Sequence, residues 1–269
     1  MRQIKIIGTF IILGITAVIL MKDSYNIVGR DNGIWIYEKD NKRCITFSPP
    51  PSDSKQTCIY IHNPGVLAFN YQKLMLASLY LNPNPKRILV MGLGGGTIVT
   101  AIQNLLPDSK IDVVEINPKM LDIAKAYFNF SLTENTEVFV QDGYDFIKNF
   151  NKKKYDLILF DIFDENYIPE KFLTEDFMES LKKIMSNSGV VAINTFISTK
   201  YSEVEKKIFC NVFGVFYILE MTNRIMIGGK NLPNLDVINK NAQALKDSFE
   251  KIGIKKSLIL NKFAIITKN

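Results

Sequence analysis

The stretch KRILVMGLGGGT, residues 86–97, constrains the fold more than any other part of the chain. Residues 88–91 form an apolar run of strand length that stops at Gly92, Gly94, Gly95 and Gly96. In the following IVTAIQNLL the apolar residues fall at helical spacing. A buried parallel strand, a glycine turn and a helix, in that order, make the nucleoside-binding corner of a doubly wound α/β sheet. Glycine tolerates positive φ and lets a ligand approach the backbone, and the helix N-terminus offers N–H donors that lack intrahelical partners. The next strand, KIDVVEI, ends in Glu115, about 20 residues beyond the glycines. A carboxylate there accepts hydrogen bonds from two ribose hydroxyls and repels a 2′-phosphate, which argues against NADP. A solvated charge at a strand end is the alternative.

Strands and helices then alternate. Helical patterns over 118–128, 144–150 and 174–185 separate the strands TEVFVQD, YDLILFD and GVVAINTF. VFYILEM and RIMIGG are split only by Thr222 and Asn223, which predicts a hairpin. An antiparallel hairpin closing a parallel sheet is the pattern of class I methyltransferase-like (Rossmann-like) folds. The amphipathic segment 235–252 predicts a late helix, and LILNKFAIIT a final strand. Ahead of the glycines, GIWIYEK and RCITFS flank Asp40, Asn41 and Lys42 as a hairpin, SPPPSDSK is a loop and QTCIYIH a third strand. Residues 66–81 read as a helix that ends at NPNP. The expected division is a small antiparallel β module at 24–65 and a nucleoside-binding domain at 66–269.

The first 23 residues stand apart. Residues 6–21 carry no charge and include ten of Ile, Leu, Val or Phe, with Arg2 and Lys5 before them and Lys22 and Asp23 after. The run is slightly shorter than the ~20 residues a span prefers. LMKDSYN makes a poor signal-peptidase site, so the segment reads as an uncleaved membrane anchor, with a buried core helix as the alternative. The expected location is a bacterial inner membrane.

A net charge of +6 comes from scattered lysines without a basic and aromatic stripe, which argues against a nucleic-acid partner. Cys44, Cys58 and Cys210 show no CxxC spacing and His62 is the only histidine, so neither a metal site nor a histidine base is expected. Acid–base work falls to carboxylates or tyrosines. Cys44 and Cys58 lie on adjacent expected strands and suit a disulfide if the domain is exported, with Cys210 left free.

Four motifs in order carry a resemblance to a known family: MGLGGGT at 91–97, VVEINPKMLDIAKAYF at 113–128, VQDGYDFI at 140–147 and YDLILFDIFDENYIP at 155–169. With the β module in front, the chain resembles the spermidine synthase family, especially its bacterial spermidine synthase-like branch, over most of residues 30–230. The resemblance implies transfer of an aminopropyl group from decarboxylated S-adenosylmethionine to a small-molecule amine. It implies that Gly92, Gly94 and Gly96 form the turn, that Glu115 holds the ribose, and that Asp142, followed by Gly143, binds the adenine amino group. Asp161 and Asp164 stand where the family has the two aspartates of its acceptor loop, the first taking the amine's proton and the second orienting the amine. Tyr71 matches the family tyrosine on the helix before the sheet.

The departures bear on substrate. Gly95 replaces an aspartate that would hold the aminopropyl amine. LAFNYQK puts Leu67, Ala68, Gln72 and Lys73 where the family has an acidic pair and His-Glu, and Asn117 replaces a frequent aspartate. Alternatives are therefore a methyltransferase using S-adenosylmethionine itself, or a non-catalytic membrane-anchored relative. By the positive-inside rule Arg2 and Lys5 place the domain outside the cytoplasm, whereas both donors are cytoplasmic metabolites, so the side is open. A homo-oligomer is compatible with the sequence, which fixes neither acceptor nor oligomeric state.

Overall fold

The computed structural model describes residues 25–31, 33–50, 55–151, 153–164 and 167–267. The expected anchor lies outside them, and among the described residues no helix is long and apolar enough to cross a membrane.

Strands β1 (Asn26–Asp31), β2 (Ile34–Lys39), β3 (Lys42–Thr46) and β4 (Lys55–Tyr60) form an antiparallel sheet in chain order. Asp40 and Asn41 turn the β2–β3 hairpin at φ 50° and 58°, the left-handed geometry of a two-residue turn that asparagine and aspartate tolerate. Cys44 and Cys58 face each other across β3 and β4 and form a disulfide, and Cys210 is a free thiol, matching the expected pairing. Strand β1 is an addition to the three strands expected; NIVGRD shows no clear alternation.

The helix expected over 66–81 is shorter. Leu67 pairs with Ile59 of β4 and donates its N–H to the Ile252 carbonyl at 3.1 Å, while Phe69 is extended. Only then does α1 (Asn70–Leu76) begin, running into a 3-10 turn at Ala77–Tyr80. The apolar run 66–69 is spent on sheet contacts, which periodicity alone does not reveal.

The second sheet contains β5 (Arg87–Met91), β6 (Lys110–Glu115), β7 (Thr136–Val140), β8 (Tyr155–Phe160), β9 (Met185–Thr195), β10 (Phe216–Glu220), β11 (Arg224–Gly229) and β12 (Ala264–Ile266). Its order is β12-β10-β11-β9-β8-β5-β6-β7. β5 to β9 run parallel, and β10, β11 and β12 pair antiparallel. The connecting helices are α2 (Thr97–Leu105), α3 (Pro118–Tyr127), α4 (Gly143–Lys148), α5 (Glu175–Ile184) and α6 (Ser202–Phe213). This is the α/β methyltransferase-like arrangement with a small N-terminal sheet. The C-terminal end differs from expectation. Residues 235–252 hold two helices, α7 (Leu235–Ala244) and α8 (Lys246–Lys251), and 256–260 form α9 (Lys256–Leu260) rather than strand.

Alternation along the central strands builds two apolar layers. Ile88, Val90, Leu157 and Leu159 point to one face, with Ile98, Ile102 and Phe249. Leu89, Met91, Ile158 and Phe160 point to the other, with Phe146, Phe177 and Phe209. Strands buried on both faces read as continuous apolar runs, which is why RILVM and YDLILF were legible as parallel core strands. The chain winds outward from β5 through β6 to β7, then from β8 to β9 on the other side. The crevice beyond the carboxyl ends of β5 and β8 is thus the topological switch point, where ligands bind in such sheets.

Candidate active site

The glycine turn leaves β5 into α2, and three of its glycines have φ values that side chains disfavour: Gly92 at 94°, Gly94 at 52° and Gly96 at 74°. Space matters as much at Gly92, where a methyl group would collide with the Asp161 carbonyl oxygen. The turn is therefore pressed against the end of β8. At the β6 edge, Glu115 is buried and accepts from the backbone N–H of Leu93 at 2.9 Å and of Asn117 at 2.9 Å. Its carboxylate ties the turn to β6 and still has lone pairs for further donors. Asn117 is the N-cap of α3, accepting from the Lys119 N–H at 3.1 Å with Pro118 next in line. That role needs a side-chain oxygen but no charge.

Asp142 follows β7 and caps α4, accepting from the Tyr144 N–H at 2.7 Å. Its other oxygen pairs with the Lys171 ammonium at 2.5 Å. Burial would raise this carboxyl, but the hydrogen bonds from Lys171 and the Tyr144 backbone outweigh it and hold the pKa below the ordinary value. Gly143 is buried, and a methyl there would lie 2.9 Å from the Met91 Cε and 3.1 Å from the Ile162 Cδ1. Ile116, between Glu115 and Asn117, exposes 67% of its surface at the same edge.

Asp161 emerges from β8 with its N–H bonded to the Met91 carbonyl at 2.8 Å. Its Oδ1 accepts from the Asn194 amide at 2.9 Å. Burial lifts its pKa to about 6, against the hydrogen bonds from Asn194 and Tyr71 that lower it. The Tyr71 phenol is pushed well above its usual value, first by burial and then by the charge of Asp161. Tyr71 also stacks on Phe69 with ring centroids 5.8 Å apart. A half-buried carboxylate, held by an amide and a phenol, is a base of usable strength at neutral pH. Asp164 is exposed and closes a turn with Tyr167: its N–H bonds to the Tyr167 carbonyl at 2.9 Å, and its Oδ1 accepts from the Tyr167 N–H at 2.9 Å. The expected residues therefore gather at one sheet edge, with Asp164 on the rim.

Residues 68–217 match the spermine/spermidine synthase domain. The chain is 37% identical over 229 residues to a polyamine aminopropyltransferase of Vibrio vulnificus (strain CMCP6), covering 82% of this chain and 77% of the relative. It belongs to the spermine/spermidine synthase family. A spermidine synthase solved in complex with the transition-state analogue AdoDATO superposes with a TM-score of 0.65 at 17% identity, over 89% of this chain and 84% of that one. Human methyltransferase-like protein 13, solved in complex with SAH, superposes with a TM-score of 0.62 at 26% identity, over 68% of this chain and 93% of that one.

For a member of this family the departures have physical explanations. At Gly95 an added methyl would sit 2.6 Å from the Thr57 Cγ2 and 3.0 Å from the Phe128 ring, so β4 and the end of α3 fill the space an aspartate would need. The Gly95 N–H instead donates to the Thr57 hydroxyl at 3.2 Å. Lys73 lies beside Gly253: its ammonium would be 3.8 Å from a methyl there, and burial followed by the charge of Lys42 lowers its pKa. Gln72 is buried and donates to the Thr97 hydroxyl at 2.8 Å, at the first residue of α2. From the sequence alone Gln72 is only a departure from the family pattern, and neither Thr57 nor Asn194 stands out. Polar side chains in otherwise apolar strands, as in GVVAINTF, were the available signal.

Proposed function

We propose that this chain transfers an aminopropyl group from decarboxylated S-adenosylmethionine to an amine acceptor. The observation that carries the reading is Asp161, a half-buried carboxylate beside the glycine turn with its pKa raised to about 6. In the reaction the amine nitrogen forms a bond to the methylene carbon beside the sulfonium. The carbon–sulfur bond breaks, its electron pair neutralises the sulfur, and methylthioadenosine leaves. The proton lost by the amine passes to Asp161, which Asn194 and Tyr71 hold in place. Asp164 orients the amine by a charge-assisted hydrogen bond.

In this reading the nucleoside lies over Gly92, Gly94 and Gly96. Glu115 accepts from the ribose hydroxyls, Asp142 accepts from the adenine amino group beside Gly143, and Ile116 offers an apolar ledge to the base. Mixing the protein with decarboxylated S-adenosylmethionine and a panel of mono- and diamines, and following methylthioadenosine by mass spectrometry, tests it. No nucleoside release with any amine sinks it.

The packed space at Gly95 favours one second reading, methyl transfer from S-adenosylmethionine, because the family's aspartate for the aminopropyl amine has no room there. Comparing dissociation constants for the two sulfonium donors separates them. We also propose that segment 1–23 attaches the protein to a membrane; release of the full chain by an alkaline wash of membranes would refute that.

A further inference from the structure

Behind the acceptor loop the fold buries an ion pair for which the proposed chemistry has no direct use. Arg224, the first residue of β11, and Glu205 of α6 are 1% and 3% exposed and bond to each other. Removing two charges from water costs several kcal/mol per ion, and apolar residues of similar volume often serve stability as well or better. Arg224 is bonded to Thr195 at the end of β9, the strand beside the one that delivers Asp161, and Glu205 is bonded to Tyr167, which closes the turn onto Asp164.

Glu205 accepts from the Tyr167 hydroxyl at 2.6 Å, and the same hydroxyl accepts from the Phe196 N–H at 3.2 Å. Tyr167 is the residue whose backbone closes the turn onto Asp164. Its ring stacks on Tyr201, with centroids 5.5 Å apart, and packs on Phe163 and Phe196. On the other side, Arg224 donates through Nε to the Thr195 hydroxyl at 2.9 Å, and that hydroxyl donates to the Arg224 carbonyl at 3.0 Å. Asn223, one residue before Arg224, donates through its side-chain amide to Oδ1 of Asn194 at 2.9 Å. This fixes the Asn194 amide so that its N–H faces Asp161.

We infer that the buried Arg224–Glu205 pair is a positioning hub that sets Asp161 and Asp164 relative to one another. One arm runs through Thr195, Asn223 and Asn194 to the base. The other runs through Tyr167 to the rim aspartate. The pair touches no reacting atom. It acts by holding a three-residue spacing in a loop whose backbone would otherwise sample many conformations, and misplacement on the order of 1 Å costs transfer reactions about 100-fold. The inference rests on the aminopropyl-transfer reading for its kinetic consequences, but not for its structural one.

The test uses the full chain with Arg224→Met and Glu205→Leu combined, which removes both charges together, and Tyr167→Phe, which removes a single hydroxyl and keeps the ring. Amide hydrogen exchange at residues 161–164 and at Tyr167 should rise about tenfold in the double variant while exchange in β5 and β6 stays at the wild-type level. The amine's KM should rise about tenfold in both variants, kcat should fall further in the double variant, and methylthioadenosine affinity should stay within about twofold. Loop exchange equal to wild type overturns the inference, as does loosened exchange with unchanged KM in an active wild-type background. If the double variant does not fold, Tyr167→Phe decides by the same readouts. A wild-type protein that transfers nothing refutes the aminopropyl reading alone, and the exchange measurement then judges the hub by itself.

Discussion

The amide nitrogen of Asn194 lies 2.9 Å from Oδ1 of Asp161, across the neighbouring carboxyl ends of β9 and β8. This contact decides what kind of group Asp161 is. Burial alone would push the carboxyl towards neutrality, and an amide donor stabilises its charged form without adding a competing charge. The result is a pKa of about 6, so the group is ionised at neutral pH yet far more basic than a surface aspartate.

Transfer should therefore rise with pH through about 6 and then level off, because the deprotonated carboxylate is the active form. Asp161→Asn should lower kcat by about 10²–10⁴-fold, with donor affinity nearly unchanged. Asp164→Asn should mainly raise the amine's KM. Steady-state kinetics across pH 5–8 checks this; near-wild-type turnover in Asp161→Asn would remove it as the base.

The same shift makes a stability prediction of opposite sense. An acid whose pKa is higher folded than unfolded contributes stability below its unfolded value, and that contribution is lost as pH rises through the folded value. Asp161→Asn should thus stabilise the fold at neutral pH by about 1–3 kcal/mol, with the gain vanishing near pH 4. Urea unfolding at the two pH values measures it. Equal stability of variant and wild type at neutral pH would count against a desolvated charge.

Glu115→Ala should weaken methylthioadenosine binding by about 2–4 kcal/mol, since it deletes the proposed ribose acceptor and frees the Leu93 N–H. Glu115→Gln, which keeps one oxygen, should lose less. Calorimetric titration, alongside an unfolding curve to confirm the fold, distinguishes the outcomes. Unchanged affinity in a folded Glu115→Ala protein ends the ribose assignment.

At the proposed adenine end, Lys171 already pairs with the Asp142 oxygen assigned to the base in the proposal. Lys171→Met should tighten methylthioadenosine binding, by roughly 0.5–1 kcal/mol, because a half-exposed ion pair of modest strength no longer competes. The wild-type affinity should also rise with added salt. A weaker-binding Lys171→Met variant would mean that the lysine supports the nucleoside instead.

Gly95→Asp offers a steric test of why this chain lacks the family's aspartate. The clash with the Thr57 methyl group and the Phe128 ring should cost about 1–3 kcal/mol, part of it recovered by adding Thr57→Ser. Unfolding midpoints read this directly. An undisturbed Gly95→Asp protein would show that the space is not filled as described.

The sequence made the central sheet legible because its strands are buried on both faces and read as uninterrupted apolar runs. The edge proposed for the nucleoside could be located in the sequence because Gly92, Gly94, Gly96, Glu115 and Asp142 sit at the ends of those runs. What stayed hidden depends on tertiary contact. Residues 66–69 look helical, but Leu67 finds a partner in Ile59, and no periodicity announces that. SEVEKKIFCNVF alternates charge and bulk in a helical way, yet its buried Glu205 reads as surface until Arg224 is placed beside it. Thr57 and Asn194 are polar residues within strands, each beside another polar residue, and only the assembled sheet shows that one meets the glycine turn and the other Asp161.

The most direct test of aminopropyl transfer is the identity of the nucleoside released when the purified protein meets an amine and an equimolar mixture of the two sulfonium donors. The expected product is methylthioadenosine, formed in equal amount with an amine lengthened by one aminopropyl group and lost in Asp161→Asn. Release of S-adenosylhomocysteine with a methylated product would contradict it.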